Sequence, residues 1–140
     1  MADHASTADS SLRIIIVTPE STVVDASADF VALSLADGEY GVAPQHSPMI
    51  GRLGYGELRI RSGGHVDRYY ADGGFVQVNN NIVSVLTNRA VPACVLESAI
   101  ASEQLRAAIG RKAAGPAELA IRERLISQAR GQLRVAAQSR

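Results

Sequence analysis

The chain has 140 residues, and its 14 Lys and Arg residues balance its 14 Asp and Glu residues. A chain of this length corresponds to about one domain and is long enough to bury a real core. The zero net charge excludes the strong basic field that non-specific nucleic-acid binding requires. The basic residues nevertheless crowd into the last third of the chain, while acids dominate the first two thirds.

The single cysteine, Cys94, cannot form an intramolecular disulfide and has no neighbouring histidine to activate it. We therefore expect a reducing compartment and a small, buried or half-buried thiol. Residues 1–11 lack the features of a signal or transit peptide, and no apolar run is long enough to span a membrane. We expect a flexible segment over 1–11 in a protein that is soluble, or held at a membrane only by partners.

Short apolar runs alternate with turn formers between Leu12 and about Ala90, which is typical of many short strands. The predicted strands are 12–17, 22–25, 30–35, 40–43, 57–61, 66–71, 75–78 and 82–86. The predicted turns are Asp37-Gly38, Gly54, Gly63-Gly64, Asp72-Gly73-Gly74 and Asn79-Asn80-Asn81. The spacing predicts an all-β sandwich or barrel over 12–91, without a parallel sheet.

After Pro92 the composition changes to Ala, Leu, Glu, Arg and Gln, the residues that a helix accommodates best. We predict two helices over 92–140, separated by Gly110 and by Gly115-Pro116, which form an antiparallel hairpin. The predicted apolar stripes are Ala101, Leu105, Ala108 and Ile109 in the first helix, and Leu119, Ile126, Ala129, Leu133 and Ala136 in the second. Because these stripes are narrow and rich in alanine, the hairpin should detach easily from whatever it contacts.

No catalytic or metal-binding constellation stands out among the titratable residues. His4 lies in the polar start and His65 in a predicted turn. His46 lies in a loop between two prolines, where a turn-stabilising role is favoured over a catalytic one. The pair Gly73-Gly74 precedes a strand and lacks the helix N-terminus that a phosphate site uses, so it predicts a hairpin turn. The basic helical face fits a solvated surface, a nucleic-acid surface or a docking face for an acidic protein, and its amphipathic hairpin favours docking.

Seven motifs follow one another along the strand-rich region. They are Ile16-Val17-Thr18-Pro19-Glu20, Val23-Val24-Asp25-Ala26, Gly38-Glu39-Tyr40-Gly41, Pro44-Gln45-His46-Ser47-Pro48, Leu58-Arg59-Ile60-Arg61, Gly73-Gly74-Phe75-Val76-Gln77-Val78 and Val83-Ser84-Val85-Leu86. Taken in order, the series resembles the ε subunit of bacterial and chloroplast ATP synthases, called δ in mitochondria. The third and fourth motifs are the most specific. The match extends more loosely to the chain end.

The resemblance implies an N-terminal antiparallel β-sandwich of about ten strands followed by a C-terminal antiparallel helical hairpin. It implies a non-catalytic subunit of the central stalk that links the γ subunit to the c-ring and couples ion flow to ATP synthesis. The residues that correspond to the ring-contacting loop are Gly38, Glu39 and Tyr40. The residues that fall in regions near γ are His46, Gly73, Gly74 and Phe75.

The predicted hairpin resembles the regulatory arm of the family, which lies folded on the sandwich or extends along γ and blocks hydrolysis. The residues expected to meet an acidic segment of the catalytic β subunit are Arg122, Arg124, Arg130 and Arg134. Each such ion pair at a rim would contribute about 0.2–1 kcal/mol, so the inhibition should be reversible and sensitive to salt.

Some bacterial members bind ATP through a motif of leucine or isoleucine, aspartate, two variable residues, arginine and alanine. Here the corresponding stretch is Leu96-Glu97-Ser98-Ala99-Ile100-Ala101, in which Ile100 replaces the arginine. A hydrocarbon cannot stabilise phosphate charge, so we expect neither ATP at this position nor any other cofactor.

The implied partners are γ, the c-ring and the β subunit, with no nucleic acid. Membrane association would occur only through the complex, at the cytoplasmic face of the inner membrane, with either protons or sodium as the coupling ion. The alternative hypothesis is a free-standing β-sandwich binding module whose basic helical tail recruits a protein or nucleic acid. An enzyme that depends on His46 is a third hypothesis.

Overall fold

A computed structural model describes residues 11–138 of the chain. The strands are β1 Leu12–Val17, β2 Thr22–Ala28, β3 Phe30–Leu35, β4 Gly38–Val42, β5 Met49–Ser62, β6 His65–Asn79, β7 Ile82–Leu86 and β8 Ala90–Pro92. A short 3-10 helix, Ala93–Val95, leads into the α-helices α1, Ser98–Gly110, and α2, Pro116–Gln138. The predicted flexible segment, except Ser11, and His4 lie outside the described residues.

The strands hydrogen-bond in the order β2-β1-β7-β6-β5-β3-β4, and β8 pairs with β6. Every pair is antiparallel except β1 and β7, which run parallel from Arg13 opposite Ile82 to Val17 opposite Leu86. The sandwich is therefore predominantly antiparallel, without a parallel sheet, and its one parallel pair among the described strands was not foreseen from the sequence. A parallel pair needs a long connection between its strands, and here strands β2 to β6 provide it.

The core lies between the two layers of this sheet. In β1, Leu12, Ile14 and Ile16 are buried while Arg13 is exposed, which is the alternation of a strand that covers a core with one face. The same buried cluster receives side chains from β1 and β7 and from β3 and β4, at opposite ends of the strand order. The sheet therefore folds over on itself, which confirms the β-sandwich.

Strands β5 and β6 are much longer than predicted, and two predicted turns lie inside them. β5 runs through Gly54 and β6 runs through Asp72-Gly73-Gly74 without a hairpin. The ladder continues on both sides of this point, with Leu53 opposite Gly74 and Tyr55 opposite Asp72. Positive φ angles of 74° at Gly73 and 108° at Gly74 allow β6 to bend while it stays paired. The described part of the chain therefore has eight strands rather than about ten.

The predicted helical hairpin is confirmed, and α2 packs on β5 and β6 as well as on α1. The predicted stripes are buried at Ala101, Ala108, Ile126, Ala129 and Ala136, while Leu105 and Leu133 are half-buried. The stripes are wrong at Ile109 and Leu119, which are exposed near the link 111–115 that joins the two helices.

Val135, which is absent from the predicted stripes, is one of the most deeply buried residues of α2 and packs with Tyr70 and Ala93. Cys94 is exposed, not buried or half-buried, because it lies on the outer side of the short 3-10 helix whose Ala93 faces the core. Neither α-helix, over the residues described, combines the length and apolar character of a bilayer-spanning segment.

Candidate docking surfaces

The first surface is the start of β4, where the turn at residues 36–37 projects Gly38, Glu39 and Tyr40 outward. The Glu39 side chain is 71% exposed, and its Oε1 lies 3.7 Å from Nη2 of Arg59. A long ion pair between exposed side chains contributes little, so the Glu39 carboxylate can be drawn to an external cation. The residues predicted to contact the ring thus form an exposed, acidic corner of the sandwich.

His46 lies next to this corner, in the loop between β4 and β5. Its Nε2 lies 2.6 Å from the hydroxyl of Tyr40, and its Nδ1 lies 2.6 Å from the carbonyl oxygen of Ser47. Because a carbonyl can only accept, Nδ1 donates to Ser47 and Nε2 accepts from Tyr40 in the neutral ring. His46 therefore ties the loop to β4, which fits the turn-stabilising role favoured from the sequence.

The third predicted group, Gly73-Gly74-Phe75, lies in the middle of β6 and leads onto an exposed apolar face. Phe75 is 56% exposed and pairs across the ladders with Arg52 of β5 and Leu86 of β7. Ile50 and Leu86 are exposed beside it, at 76% and 55%. We call Ile50, Phe75 and Leu86 the apolar outer face. Sequence reasoning missed Ile50 and Leu86, although Leu86 could have been found from its alternation with the core residues Val83 and Val85.

The four arginines of α2 do not form one patch. Nη2 of Arg122 donates to the carbonyl of Ile109 at 2.9 Å, so this guanidinium is held within the hairpin. Arg124 and Arg130 are exposed. Nη2 of Arg134 donates to the carbonyl of Tyr55 at 3.3 Å and so attaches α2 to the sandwich.

An open groove of about 750 Å³ runs between the sandwich and α2 and brings three predicted groups together. Its walls include Gly38 and Glu39 from the acidic corner, Gly73, Gly74 and Phe75 from β6, and Arg130 and Arg134 from the arm. Arg122 and Arg124 do not line it, and neither do Tyr40 and His46. The groove thus combines acidic, basic and apolar surface at the junction of the two units.

The attachment of the arm depends on a buried tyrosine that sequence reasoning missed. Tyr70 lies beneath α2, its hydroxyl donates to Oδ1 of Asp72 at 2.8 Å, and Oδ2 of Asp72 accepts from Nε2 of Gln128 at 3.1 Å. Burial, and then the hydrogen bond to Asp72, raise the pKa of Tyr70 well above its ordinary value. The sequence signal that could have found this site is Tyr70 itself, a large aromatic residue within the predicted strand 66–71.

The described residues contain no cluster of three or more His, Cys, Asp or Glu side chains that could hold a metal ion. Ile100, which replaces the arginine of the ATP-binding motif, lies exposed on α1. The described surface consists of exposed faces, a groove and a folded arm, and such surfaces are typical of a protein that binds other proteins.

Comparisons with known proteins agree on one family. Residues 11–93 match the family model of the ATP synthase delta/epsilon chain β-sandwich domain. The chain is 46% identical over 124 residues to an ATP synthase epsilon chain of Rhodopirellula baltica, covering 89% of this chain and 97% of that one. This chain belongs to the ATP synthase epsilon chain family.

Two solved structures share the fold. A chain of the Euglena gracilis mitochondrial ATP synthase structure of OSCP, F1 and the c-ring aligns with a TM-score of 0.80 at 21% identity, covering 92% of this chain and 82% of that one. A chain of the Tetrahymena thermophila mitochondrial ATP synthase central stalk and c-ring aligns with a TM-score of 0.70 at 14% identity, covering 89% and 96%. The family match and the 46% identity to an epsilon chain do not favour the alternative of a free-standing binding module.

Proposed function

We propose that this chain is a non-catalytic epsilon-type subunit of an ATP synthase central stalk, which links the γ subunit to the c-ring. The observation that carries the proposal is the 46% identity to an ATP synthase epsilon chain across nearly the whole length of both chains. The sandwich, 12–91, connects γ to the c-ring, and the hairpin, 92–140, regulates ATP hydrolysis. The subunit is peripheral, at the cytoplasmic face of the inner membrane, and is held there by its partners.

The acidic corner is the proposed contact with the ring. Gly38 and Tyr40 are paired in the β3–β4 ladder, so Glu39 between them projects from a rigid strand rather than a mobile loop. An exposed carboxylate on a stiff element can pair with cationic loops of the ring and transmit force without bending.

The γ subunit would bind the apolar outer face. His46, Gly73 and Gly74 would form further parts of the same contact. Three large apolar side chains are exposed together on adjacent strands, and such a cluster is typical of a protein interface. Buried aromatic residues dominate binding energy at interfaces, so Phe75 is the expected anchor.

The assignment to γ is tested by measuring the affinity of purified γ for the chain and for Phe75→Ser. A hot-spot loss of about 2 kcal/mol corresponds to roughly 30-fold weaker binding. Val66→Ser is the matched control, because Val66 is also an exposed apolar residue of β6 but lies at the start of the strand, away from the apolar outer face. Equal losses in the two variants, or none in either, would contradict the proposed γ face.

The hairpin is the proposed inhibitor of hydrolysis when it leaves the sandwich and extends toward the β subunit. Arg124 and Arg130, which are already exposed, together with Arg122 and Arg134, would then meet acidic side chains. The test is ATP hydrolysis by the reconstituted catalytic complex, with the full chain and with a chain truncated after Val95, across a salt series. The truncation keeps β8 and the 3-10 helix, which pack against β6. Inhibition by the full chain alone supports the proposal, and equal hydrolysis with both chains contradicts it.

A further inference from the structure

The arm approaches the sandwich very closely at one glycine of α2. Gly131 is buried, and a Cβ added there would overlap the carbonyl oxygen of Tyr55 and lie 2.9 Å from the carbonyl carbon. Real Cβ atoms do not approach backbone so closely, and the backbone of β5 cannot yield as the end of a flexible side chain can. Any side chain at position 131 therefore requires α2 to move away from β5.

Hydrogen bonds attach α2 to the sandwich on either side of this contact. Arg134 donates to the carbonyl of Tyr55, the same group that faces Gly131. Gln128, one turn before Gly131, donates to Asp72, and Nη1 of Arg68 donates to the carbonyl of Gln138 at 2.5 Å. These bonds need the short separation that Gly131 permits, because hydrogen bonds weaken steeply with distance.

The apolar surface that supports these bonds is small. The buried side chains of α2 are Ile126, Ala129, Val135 and Ala136, of which two are alanines. Hydrophobic stabilisation scales with the apolar area removed from water, so this face alone holds the arm weakly. The folded position of the arm therefore depends on the close contact and on the polar bonds together.

We propose that Gly131 is the positioning residue of the arm: its lack of a side chain lets α2 lie against Tyr55, and this contact sets the balance between the folded and the released arm. In the folded position Arg134 donates to the carbonyl of Tyr55, and this bond is lost when the arm leaves the sandwich. The consequence for hydrolysis rests on the proposed function, whereas the positioning role can be tested on the isolated full chain.

The test compares amide hydrogen exchange in the full chain with that of Gly131→Ala and Gly131→Leu. The matched control is Gly110→Leu, because Gly110 is also helical but has open space where its Cβ would lie. Alanine and leucine both favour helix over glycine, so neither variant loses helical propensity. Exchange in residues 126–138 should rise by about tenfold or more in Gly131→Leu and less in Gly131→Ala, since protection reports local opening.

Strands β1 and β3 should keep their native protection in both Gly131 variants, and Gly110→Leu should leave exchange in α2 unchanged. Gln128→Ala, which removes one bond without adding bulk, should raise exchange in α2 by a smaller factor. Native protection of α2 in Gly131→Leu would overturn the proposal. So would loss of protection throughout the sandwich, or an equal effect of Gly110→Leu.

Hydrolysis by the reconstituted catalytic complex separates this inference from the proposed function. Release of α2 in Gly131→Leu together with stronger inhibition supports both. Release of α2 with unchanged hydrolysis supports the positioning role of Gly131 and contradicts the inhibitory role of the arm. Absence of release overturns the positioning role, whatever the truncated chain does to hydrolysis.

Discussion

The hydroxyl of Tyr70 donates a 2.8 Å hydrogen bond to Oδ1 of Asp72, two residues along β6, and so fixes the carboxylate that receives Gln128 from α2. Tyr70 is fully buried, and it packs with Val135 of α2 and Ala93 of the 3-10 helix. One aromatic side chain thus serves both the sandwich and the attached arm. Its ionisation should affect both.

Removing the Tyr70 hydroxyl should make the free energy of unfolding decrease less steeply as the pH rises into the alkaline range. Burial and the bond to Asp72 raise the pKa of folded Tyr70 above the unfolded value of about 10. Because the pKa is higher in the folded chain, the protonated Tyr70 hydroxyl contributes its full stabilisation below a pH of about 10. This stabilisation is lost as the pH rises further. The free energy of unfolding should fall by up to about 1.4 kcal/mol per pH unit for this group.

Urea unfolding of the native chain and of Tyr70→Phe across this alkaline range measures the effect. Tyr69→Phe is the comparison, because Tyr69 is only half-buried and its pKa is raised by burial and by Asp67. The Tyr70 variant should show the larger reduction in slope. An unchanged slope in Tyr70→Phe would show that the hydroxyl ionises as easily in the folded chain as in the unfolded one.

Glu57→Gln should destabilise the sandwich. The Glu57 carboxylate is buried on β5, its Oε1 accepts from Arg59 at 2.9 Å, and its Oε2 accepts from Nε of Arg68 at 2.6 Å and also from Nη2. Breaking a buried pair leaves charge without compensation. Since both arginines are partly exposed, we expect a loss of about 1–3 kcal/mol rather than the roughly 3–5 kcal/mol of a fully buried pair.

Chemical denaturation compares Glu57→Gln with Glu39→Gln, which removes an exposed carboxylate from the same Arg59. The Glu39 variant should stay within about 0.5 kcal/mol of the native chain, as surface substitutions usually do. Similar losses in the two variants would mean that burial of Glu57 does not matter.

Gly74→Ala should cost more stability than Gly63→Ala, although both glycines have positive φ. Gly63 lies in the β5–β6 turn with open space around it, so alanine there incurs only the backbone strain of about 1–2 kcal/mol. At Gly74 a Cβ would also overlap the carbonyl oxygen of Leu86, which forces β6 and β7 apart. Thermal unfolding of the two variants decides the order, and equal melting temperatures would contradict it.

These glycines show what the sequence could and could not predict. A double glycine between strand-forming runs is typical of a hairpin turn, and Gly63-Gly64 forms one as predicted. Asp72-Gly73-Gly74 has the same local character but is held in a continuous strand by its pairing with β5, where Asp72 lies opposite Tyr55 and Gly74 opposite Leu53. Only tertiary pairing distinguishes the two cases, because local propensity is the same in both.

Some features of the docking surfaces could likewise be predicted from the local sequence, and others depend on tertiary packing. The exposure of Glu39 and the role of His46 follow from local motifs, whereas Ile50 lies in a stretch for which the sequence predicts no strand. Sequence proximity groups the four arginines, and the helical hairpin separates them: Arg122 faces α1 and Arg134 faces β5. Helical periodicity could have separated these two faces, but which face meets the sandwich depends on packing.

Glu39→Gln should weaken attachment to the ring without changing the stability of the isolated chain. A single exposed ion pair contributes about 0.2–1 kcal/mol, so binding should weaken by no more than about fivefold and its salt dependence should decrease. Binding of the complex of γ and this chain to isolated c-ring is measured at low and high salt. Glu20→Gln, at another exposed turn, is the control. An identical salt dependence in the Glu39 variant and the native complex would remove Glu39 from the ring contact.

Arg122 and Arg124, two residues apart on α2, should behave differently when each is changed to alanine. The Arg122 guanidinium bonds to the carbonyl of Ile109 near the end of α1, and its Nε is buried with no hydrogen-bond partner among residues 11–138. A cation beside the last carbonyls of a helix stabilises that end. Arg122→Ala should therefore cost the hairpin about 0.5–1.5 kcal/mol, as the loss of one hydrogen bond does.

Arg124 is exposed, so Arg124→Ala should leave hairpin stability within about 0.5 kcal/mol of the native chain. Its effect should instead appear in the reconstituted complex, where the variant should inhibit hydrolysis less than the native chain at low salt. At high salt the two should inhibit equally, because screening weakens the ion pair that Arg124 makes in the native complex. Hydrogen exchange of α1 in the free chain and hydrolysis in the complex separate the two roles. If Arg122→Ala leaves the exchange of α1 unchanged while Arg124→Ala increases it, the side chain that holds the hairpin together is the exposed arginine, and the docking role assigned to Arg124 is contradicted.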